Sequence, residues 1–327
     1  MVERRRILVA GATGFVGARL LPVLESQGFE VVAGTRDVST AQQRFPGRAF
    51  VHLDLADADS VRAAMRSCSA AVYLVHSMGG GSDYERLERE SAHNFRSAAA
   101  EAQLERIVYL GGMPPQGKPS RHLRSRMITG EILRAGRVPT IELQATMVIG
   151  SGSESFRMVR DLAARLPVMV LPRWSRSITE PIAIDDVTFA LAHALSYAPA
   201  QSRAYPLPGP EPLSARDILG RTAALMGRRP RMFGVPVITP RLSSYWIRLV
   251  TRGNHYVTDE LVEGLRSDIV APDAGYWKLC PEHRRQSFEY AASRALRDEA
   301  SHLSAGAILL EQTIDRIRPR RHTGRSA

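Results

Sequence analysis

The sequence predicts an α/β protein built on a doubly wound parallel sheet. Residues 5–111 alternate short β-branched runs with longer helical patterns, the order that parallel strands with crossover helices produce. A glycine-rich turn at residues 11–17 follows the first run directly and opens the first helical pattern. The runs at residues 70–75 and 106–110 are apolar without alternation, as expected for strands that are covered on both faces.

The remaining elements follow at short intervals. The strand patterns occupy residues 6–10, 30–34, 49–53, 70–75, 106–110 and 140–145, with a last strand near 204–208. The helical patterns occupy residues 14–27, 57–67, 84–103, 122–135 and about 155–166, and continue from about 214 to 310. We therefore expect a strand-rich domain over residues 1–150, a smaller and mostly helical lobe over 151–310 that is interleaved with it, and a basic disordered tail over 311–327.

The charge of the chain is uneven. The net charge is +11, and residues 316–327 contain five arginines and no acidic residue, so the rest of the chain carries +6 (11 − 5). The remaining excess is scattered and lacks interleaved aromatic residues, which argues against a nucleic acid as partner. A ligand with several phosphate charges accounts for part of the excess.

Several classes of protein are excluded by what the sequence lacks. Two cysteines, Cys68 and Cys280, are too few for a disulfide framework or a thiolate-rich zinc site, and we expect no metal. The zincin, serine-hydrolase and P-loop motifs do not occur. No apolar run approaches the roughly 18 residues of a membrane span, and the start of the chain does not read as a signal peptide. We expect a cytoplasmic protein.

The glycine-rich turn carries the first functional prediction. Gly11 permits a tight turn after the first strand, Gly14 lets the backbone approach a pyrophosphate, and Gly17 lets helix and strand pack closely. The free amides and the dipole at the start of the helix then hold the phosphates. This is the Rossmann arrangement, and it predicts a nicotinamide dinucleotide bound by the loop Gly11, Ala12, Thr13, Gly14, Phe15, Val16 and Gly17.

The end of the second strand favours NADP(H) over NAD(H). An acidic residue there would bind the ribose 2′-hydroxyl of NAD, but this chain has Thr35 followed by Arg36, which can pair with a 2′-phosphate. Asp37 as the ribose acceptor is the alternative. Asp54 and Leu55, after the third strand, are candidates for the adenine end, although Asp54 could simply close a turn. Val75 ends the fourth strand beside the cofactor.

Several longer segments resemble a known family. The Gly-Ala-Thr-Gly-Phe-Val-Gly motif is that of extended and atypical short-chain dehydrogenases/reductases. The segments at residues 73–78, 106–112, 122–134 and 149–153 are similar to the atypical NAD(P)H-binding subgroup that includes NmrA-like proteins and an accessory subunit of respiratory complex I. The resemblance covers about residues 5–300 and implies a Rossmann fold with cofactor binding.

The chain departs from this superfamily in its catalytic residues. The superfamily uses a Tyr-x-x-x-Lys pair with a Ser or Thr, but the only lysines here, Lys118 and Lys278, follow Pro114 and Ala274 at that spacing. The corresponding helix instead presents His122 and Arg126, one turn apart on one face. An imidazole could act as the acid near neutral pH while the guanidinium holds an anionic group. A solvated helix start is the alternative.

A second histidine and a pocket edge complete the candidates. His76 follows the fourth strand and would lie near the nicotinamide. A set of residues from several loops could line a substrate pocket or form the core of the lobe junction: Met78, Met113, Gln144, Trp174 and Thr179 to Pro181.

Two functions therefore remain open. One is an NADPH-dependent oxidoreductase that acts on a small carbonyl or quinone substrate without the tyrosine–lysine pair. The other is a non-catalytic NADPH sensor or assembly factor. Trp246 to Val250, in a basic helical stretch, is compatible with a partner or membrane-surface face as well as with core, so peripheral membrane contact stays open. A sugar-nucleotide epimerase would need the missing tyrosine.

Overall fold

A computed structural model describes residues 5–76, 83–197, 201–235 and 267–302. Its strands are β1 (Arg6–Ala10), β2 (Glu30–Thr35), β3 (Val51–His52), β4 (Ala70–Tyr73), β5 (Arg106–Gly112), β6 (Thr140–Ala145), β7 (Val148–Ile149), β8 (Val168–Pro172), β9 (Ile178–Thr179), β10 (Ile182–Ala183), β11 (Arg203–Leu207), β12 (Leu213–Ser214) and β13 (Arg231–Val235). Its helices are α1 (Phe15–Ser26), α2 (Val38–Arg44), α3 (Ala58–Met65), α4 (Tyr84–Glu101), α5 (Arg121–Arg134), α6 (Glu154–Arg165), α7 (Ile184–Ser196), α8 (Ala215–Leu225) and α9 (Phe288–His302).

The central sheet has seven strands in the order β11-β6-β5-β4-β1-β2-β3, and every pair is parallel. The chain moves outward from β1 on one side through β2 and β3, and on the other side through β4, β5 and β6. The strand order therefore reverses between β1 and β4. Ligands of such sheets bind in the crevice at the carboxyl ends of the strands beside this switch point. The predicted doubly wound parallel sheet is confirmed.

Apolar residues cover both faces of the sheet. One buried cluster joins the sheet to α1 and α7, through residues such as Leu20, Leu24 and Leu191. A second buried cluster joins the opposite face to α3, α4 and α5, through residues such as Met65 and Phe95. Burial on both faces explains why the strands show no polar alternation.

The C-terminal region has its own apolar core. Residues of α6, α8, β8 and α9 form a third cluster that includes Phe156, Leu219 and Phe288. The capping box at the start of α8 joins Ser214 and Asp217, and Ser153 caps α6. β11 lies within this region of the chain but pairs with β6 of the main sheet, so the two parts are interleaved. The boundary near residue 150 therefore stays a proposal.

Six strands and two helices of the structure were not predicted from the sequence: β7, β8, β9, β10, β12, β13, α2 and α7. The predicted helical region from 214 contains the strand β13, which pairs in parallel with β8. The helix α2 was not predicted, since it spans only seven residues. The helix α7 was also missed, because most of its residues are buried, so no polar stripe repeats at the helical period. Residues 246–250, Met78 and the predicted tail at 311–327 lie outside the described residues.

Within the described ranges, no helix is both long and apolar enough to cross a membrane. The same ranges hold no cluster of three or more histidine, cysteine, aspartate or glutamate residues that could bind a metal ion.

Candidate functional site

The turn between β1 and α1 has the geometry of a phosphate loop. Gly11 has a φ of +87°, and a Cβ atom there would lie 3.2 Å from the backbone carbon of Leu74. Gly14 occupies the N-cap position of α1, and its amide donates to the Gly11 carbonyl at 3.1 Å. Because Gly14 has no side chain to cap the helix, the amides of the first turn can bind an anion.

The two later glycines of the motif face different surroundings. A Cβ atom at Gly17 would lie 2.2 Å from the Gly11 carbonyl oxygen, so only glycine allows this contact between helix and loop. A Cβ atom at Gly14 would meet only that same oxygen, at 3.3 Å, and Gly14 is exposed. The open side of Gly14 is therefore the side on which a pyrophosphate can approach the backbone.

The carboxyl end of β2 carries positive charge. Arg36 is exposed there, whereas Asp37 caps α2 by accepting from the Thr40 amide at 2.9 Å and the Thr40 hydroxyl at 2.6 Å. These hydrogen bonds lower the pKa of Asp37. Arg44, in the last turn of α2, donates to the Thr13 carbonyl at 3.3 Å. Sequence reasoning missed Arg44, because its position depends on α2 returning toward the loop.

The other predicted cofactor residues lie along the same edge. Asp54 accepts from the Ala56 amide at 3.0 Å, which is the turn role that the sequence left open. Leu55 is buried. Val75 lies against the loop, since its Cγ2 would be 3.3 Å from a Cβ atom at Gly11. Of these three residues, Val75 therefore lies against the phosphate loop itself.

The three predicted catalytic residues are close together. His122 and Arg126 lie one turn apart on α5, and the rings of His122 and His76 have centroids 5.7 Å apart. Arg126 Nη2 donates to the Leu110 carbonyl at 2.7 Å, and its own carbonyl accepts from the Tyr109 hydroxyl at 2.9 Å. These contacts fasten α5 to β5 at the edge where the strands end.

The electrostatics of this group differ from the sequence expectation of an imidazole that titrates near neutral pH. Burial and the Arg126 charge lower the pKa of His122 to about 4. Desolvation by the surrounding protein, Arg126 and His122 lower the pKa of His76 to about 3, although His76 keeps more than a third of its surface accessible to solvent. Both imidazoles are neutral at pH 7, and Arg126 supplies the positive charge.

Arg126 has donor capacity that the described residues do not use. Its Nε atom is buried and has no hydrogen-bond partner among them. A Cβ atom at Gly112, the last residue of β5, would lie 3.6 Å from this Nε and 2.5 Å from Leu123. A buried donor without a partner is costly, so this guanidinium edge is suited to an oxyanion.

A buried carboxylate explains the first of the two glycines that end β5. Glu142 on β6 is 1% exposed, lies 2.8 Å from Arg134 Nε and accepts from the Gln144 amide at 3.3 Å. Cβ atoms at Gly111 and Gly130 would lie 2.5 and 2.4 Å from its carboxylate oxygens. Burial raises the pKa of Glu142. A serine at position 111 would collide with this carboxylate, so the hydroxyl residue of the superfamily has no room there.

The remaining residues of the predicted pocket edge are mostly structural. Met113 is buried, and Gln144 bonds to Glu142. Glu180 accepts from the Ala271 amide at 2.6 Å. The side chain of Trp174 is outside what the structure describes.

The comparisons with known proteins agree with this geometry. Residues 11–140, from the phosphate loop to the start of β6, match a family described as NAD(P)H-binding. The match supports NAD(P)H binding by this part of the chain. The resemblance to atypical short-chain dehydrogenases/reductases that the sequence indicated is confirmed.

Similar proteins extend the likeness over most of the chain. The chain is 23% identical over 344 residues to the chloroplastic divinyl chlorophyllide a 8-vinyl-reductase of Oryza sativa subsp. indica, covering 94% of this chain and 82% of the relative. The triphenylmethane reductase of Citrobacter sp., solved with NADP(H), has a TM-score of 0.70 at 16% identity and covers 89% of this chain and 99% of its own.

A nucleoside-diphosphate-sugar epimerase from Staphylococcus aureus has a TM-score of 0.69 at 13% identity and covers 88% of this chain and 99% of its own. Other similar structures contain NAD or NAD+. At these identities the structures show a shared fold. They do not distinguish NAD from NADP as the cofactor of this chain.

Proposed function

We propose that this protein is an NADPH-dependent oxidoreductase that acts on a small carbonyl or quinone substrate without a tyrosine–lysine pair. The observation that carries the proposal is the grouping of His76, His122 and Arg126 at the carboxyl edge of the sheet that holds the phosphate loop. The relatives named above include two reductases, which supports the reaction class but not the substrate.

The preference for NADPH rests on the end of β2. Arg36 is exposed and Arg44 reaches the loop carbonyl of Thr13, so two guanidinium groups are available to a 2′-phosphate. Asp37, the alternative acceptor for a ribose hydroxyl, is engaged as the cap of α2. The uncapped amides of α1 and the open side of Gly14 fit the pyrophosphate.

The charge distribution suggests how the substrate is held. NADPH bound at the loop would supply the hydride. A carbonyl or quinone oxygen that gains negative charge would be stabilised by Arg126, whose Nε is a buried donor without a partner among the described residues. With neutral imidazoles, His122 and His76 orient that oxygen by hydrogen bonding, and the proton comes from water.

This arrangement favours quinones over simple ketones. A reduced quinone leaves as a stabilised oxyanion, whereas an alkoxide from a ketone needs a proton donor of matched pKa during the reaction. We therefore expect faster NADPH oxidation with quinones than with aldehydes or ketones of similar size.

The test is a panel of quinones, aldehydes and ketones assayed for NADPH oxidation. The Gly14→Val variant, assayed at an NADPH concentration well below its weakened affinity, serves as the control with little bound cofactor. Oxidation that depends on substrate and is lost in Gly14→Val supports the proposal. Tight NADPH binding with no oxidation by any member of the panel would instead favour the second candidate.

The second candidate is a non-catalytic NADPH sensor or assembly factor. The absence of the superfamily's tyrosine, lysine and hydroxyl residues favours it. The low pKa of both histidines also favours it, because neither imidazole is protonated, and so able to act as an acid, at neutral pH. For either function we propose the cytoplasm as the compartment.

A further inference from the structure

The two strands β8 and β13 form a small parallel ribbon with one open face. Their register pairs Val168 with Arg231 and Val170 with Phe233. Side chains of paired residues point to the same side of a sheet, so these four residues share one face. Met169 and Leu171 point to the other face and are buried in the core that includes α6 and α8.

The open face carries three exposed apolar side chains. Val168, Val170 and Phe233 are 48%, 53% and 54% exposed. The other large apolar residues that are exposed in the described ranges lie apart from one another along the chain, on helices: Leu87, Leu225 and Tyr290. Three large apolar side chains on one face of two adjacent strands indicate a contact surface.

The two chain segments that form this face carry charge of one sign. Residues 166–176 and 226–235, which contain both strands and their ends, include five arginines and no acidic residue: Arg173, Arg176, Arg228, Arg229 and Arg231. Arg231 lies on the apolar face itself. An apolar surface within a wholly basic segment attracts anionic surfaces and repels basic ones.

We propose that the face formed by Val168, Val170, Arg231 and Phe233 binds anionic phospholipid membranes. Apolar side chains would enter the boundary between headgroups and acyl chains, while arginines would contact the phosphates. Neither a few apolar residues nor a few basic residues holds a protein at a bilayer, but the two together do.

The experiment is co-sedimentation of the full chain with vesicles. One set contains phosphatidylcholine alone, and the other contains phosphatidylcholine mixed with phosphatidylglycerol. We expect binding to the mixed vesicles that weakens as salt is added, and little binding to the neutral ones. Arg231→Ser should lower the partition coefficient about fivefold. Phe233→Ser should lower it about tenfold.

Matched variants separate this face from other causes. Leu87→Ser and Tyr290→Ser remove exposed apolar residues elsewhere and should leave partition unchanged. Every variant keeps the arginines of residues 316–327, so their attraction to lipid is common to all. Thermal unfolding of Phe233→Ser should match that of the unaltered chain.

Two results would overturn the proposal. One is equal partition of the unaltered chain, Arg231→Ser and Phe233→Ser on mixed vesicles, including the case of no binding at all. The other is a dimer or larger assembly without vesicles that Phe233→Ser dissociates, which would assign the face to self-association.

Discussion

The phosphate loop and the start of α5 lie at the same edge of the sheet, yet their chemistry has different origins. In the loop, the backbone acts: Gly11, Gly14 and Gly17 matter because they have no side chains. At α5, the proposed role belongs to side chains, and their charge depends on the surroundings, since burial and Arg126 lower the pKa of His122 to about 4. Spacing along the chain therefore predicts the backbone geometry of the first region, but it does not predict the protonation of the histidines in the second.

The largest effect on hydride transfer is expected at Arg126. If Arg126 proves unimportant, the side chains of α5 do not have the role proposed for them. Arg126→Met removes the charge that would stabilise an oxyanion, and hydride transfer measured by stopped flow with saturating NADPH should fall about 10²- to 10³-fold. Arg124→Met, which alters another arginine on the same helix, is the control and should retain its rate. Equal rates in the two variants would remove Arg126 from the mechanism.

The second prediction distinguishes the role of Gly14 in cofactor binding from the role of Gly17 in stability. Gly14→Val should fold but lose about a hundredfold in NADPH affinity by calorimetry, because the side chain fills the open side of the loop. Gly17→Ala should instead lower the free energy of unfolding by about 3 kcal/mol in urea, because its Cβ meets the Gly11 oxygen. A folded Gly14→Val that binds NADPH normally would contradict the assignment.

The third prediction concerns cofactor selectivity. Arg36→Ala and Arg44→Ala should each weaken NADPH binding by about 1.5–3 kcal/mol and leave NADH binding nearly unchanged, because only NADPH carries the 2′-phosphate. Arg48→Ala is the control, since Arg48 is already paired with Glu25. Losses of the same size for both cofactors would refute the role of these arginines.

The smallest effects are expected at the histidines. At pH 7, His122→Gln and His76→Gln should reduce hydride transfer less than about tenfold, because neither imidazole is the protonated acid. A loss of about a hundredfold in one variant, with cofactor binding intact, would identify that residue as the proton donor.

The lowered pKa of His122 also predicts that the stability of the protein depends on pH. Its pKa is about 4 in the folded protein, against 6.5 for an unperturbed histidine, so the unfolded chain binds more protons between these values. The stability that the neutral imidazole provides is present above pH 6.5 and is lost as the pH falls toward 4. His122→Gln should reduce this loss when urea titrations at about pH 7, above that range, are compared with titrations at about pH 4.5, near its lower end. An unchanged loss would show that His122 is not responsible.

The parallel sheet, the positions of its strands and the glycine-rich turn after β1 all follow from the sequence. β6 begins and ends where the pattern predicts, and the strand near 204–208 joins the main sheet as β11. These features follow from local rules, because burial on both faces produces apolar runs and a tight turn requires glycine at a fixed spacing.

Other features depend on contacts between residues that are far apart in the chain and are visible only in the tertiary structure. In the tertiary structure Arg44 contacts the loop, and the Glu142 carboxylate packs against Gly111 and Gly130. Burial and Arg126 lower the pKa of His122. The tertiary structure also pairs β8 with β13, which lie far apart in the chain. A pKa depends on neighbours that are distant in sequence, and a strand pair depends on register between remote segments, so neither follows from the order of residues within one element.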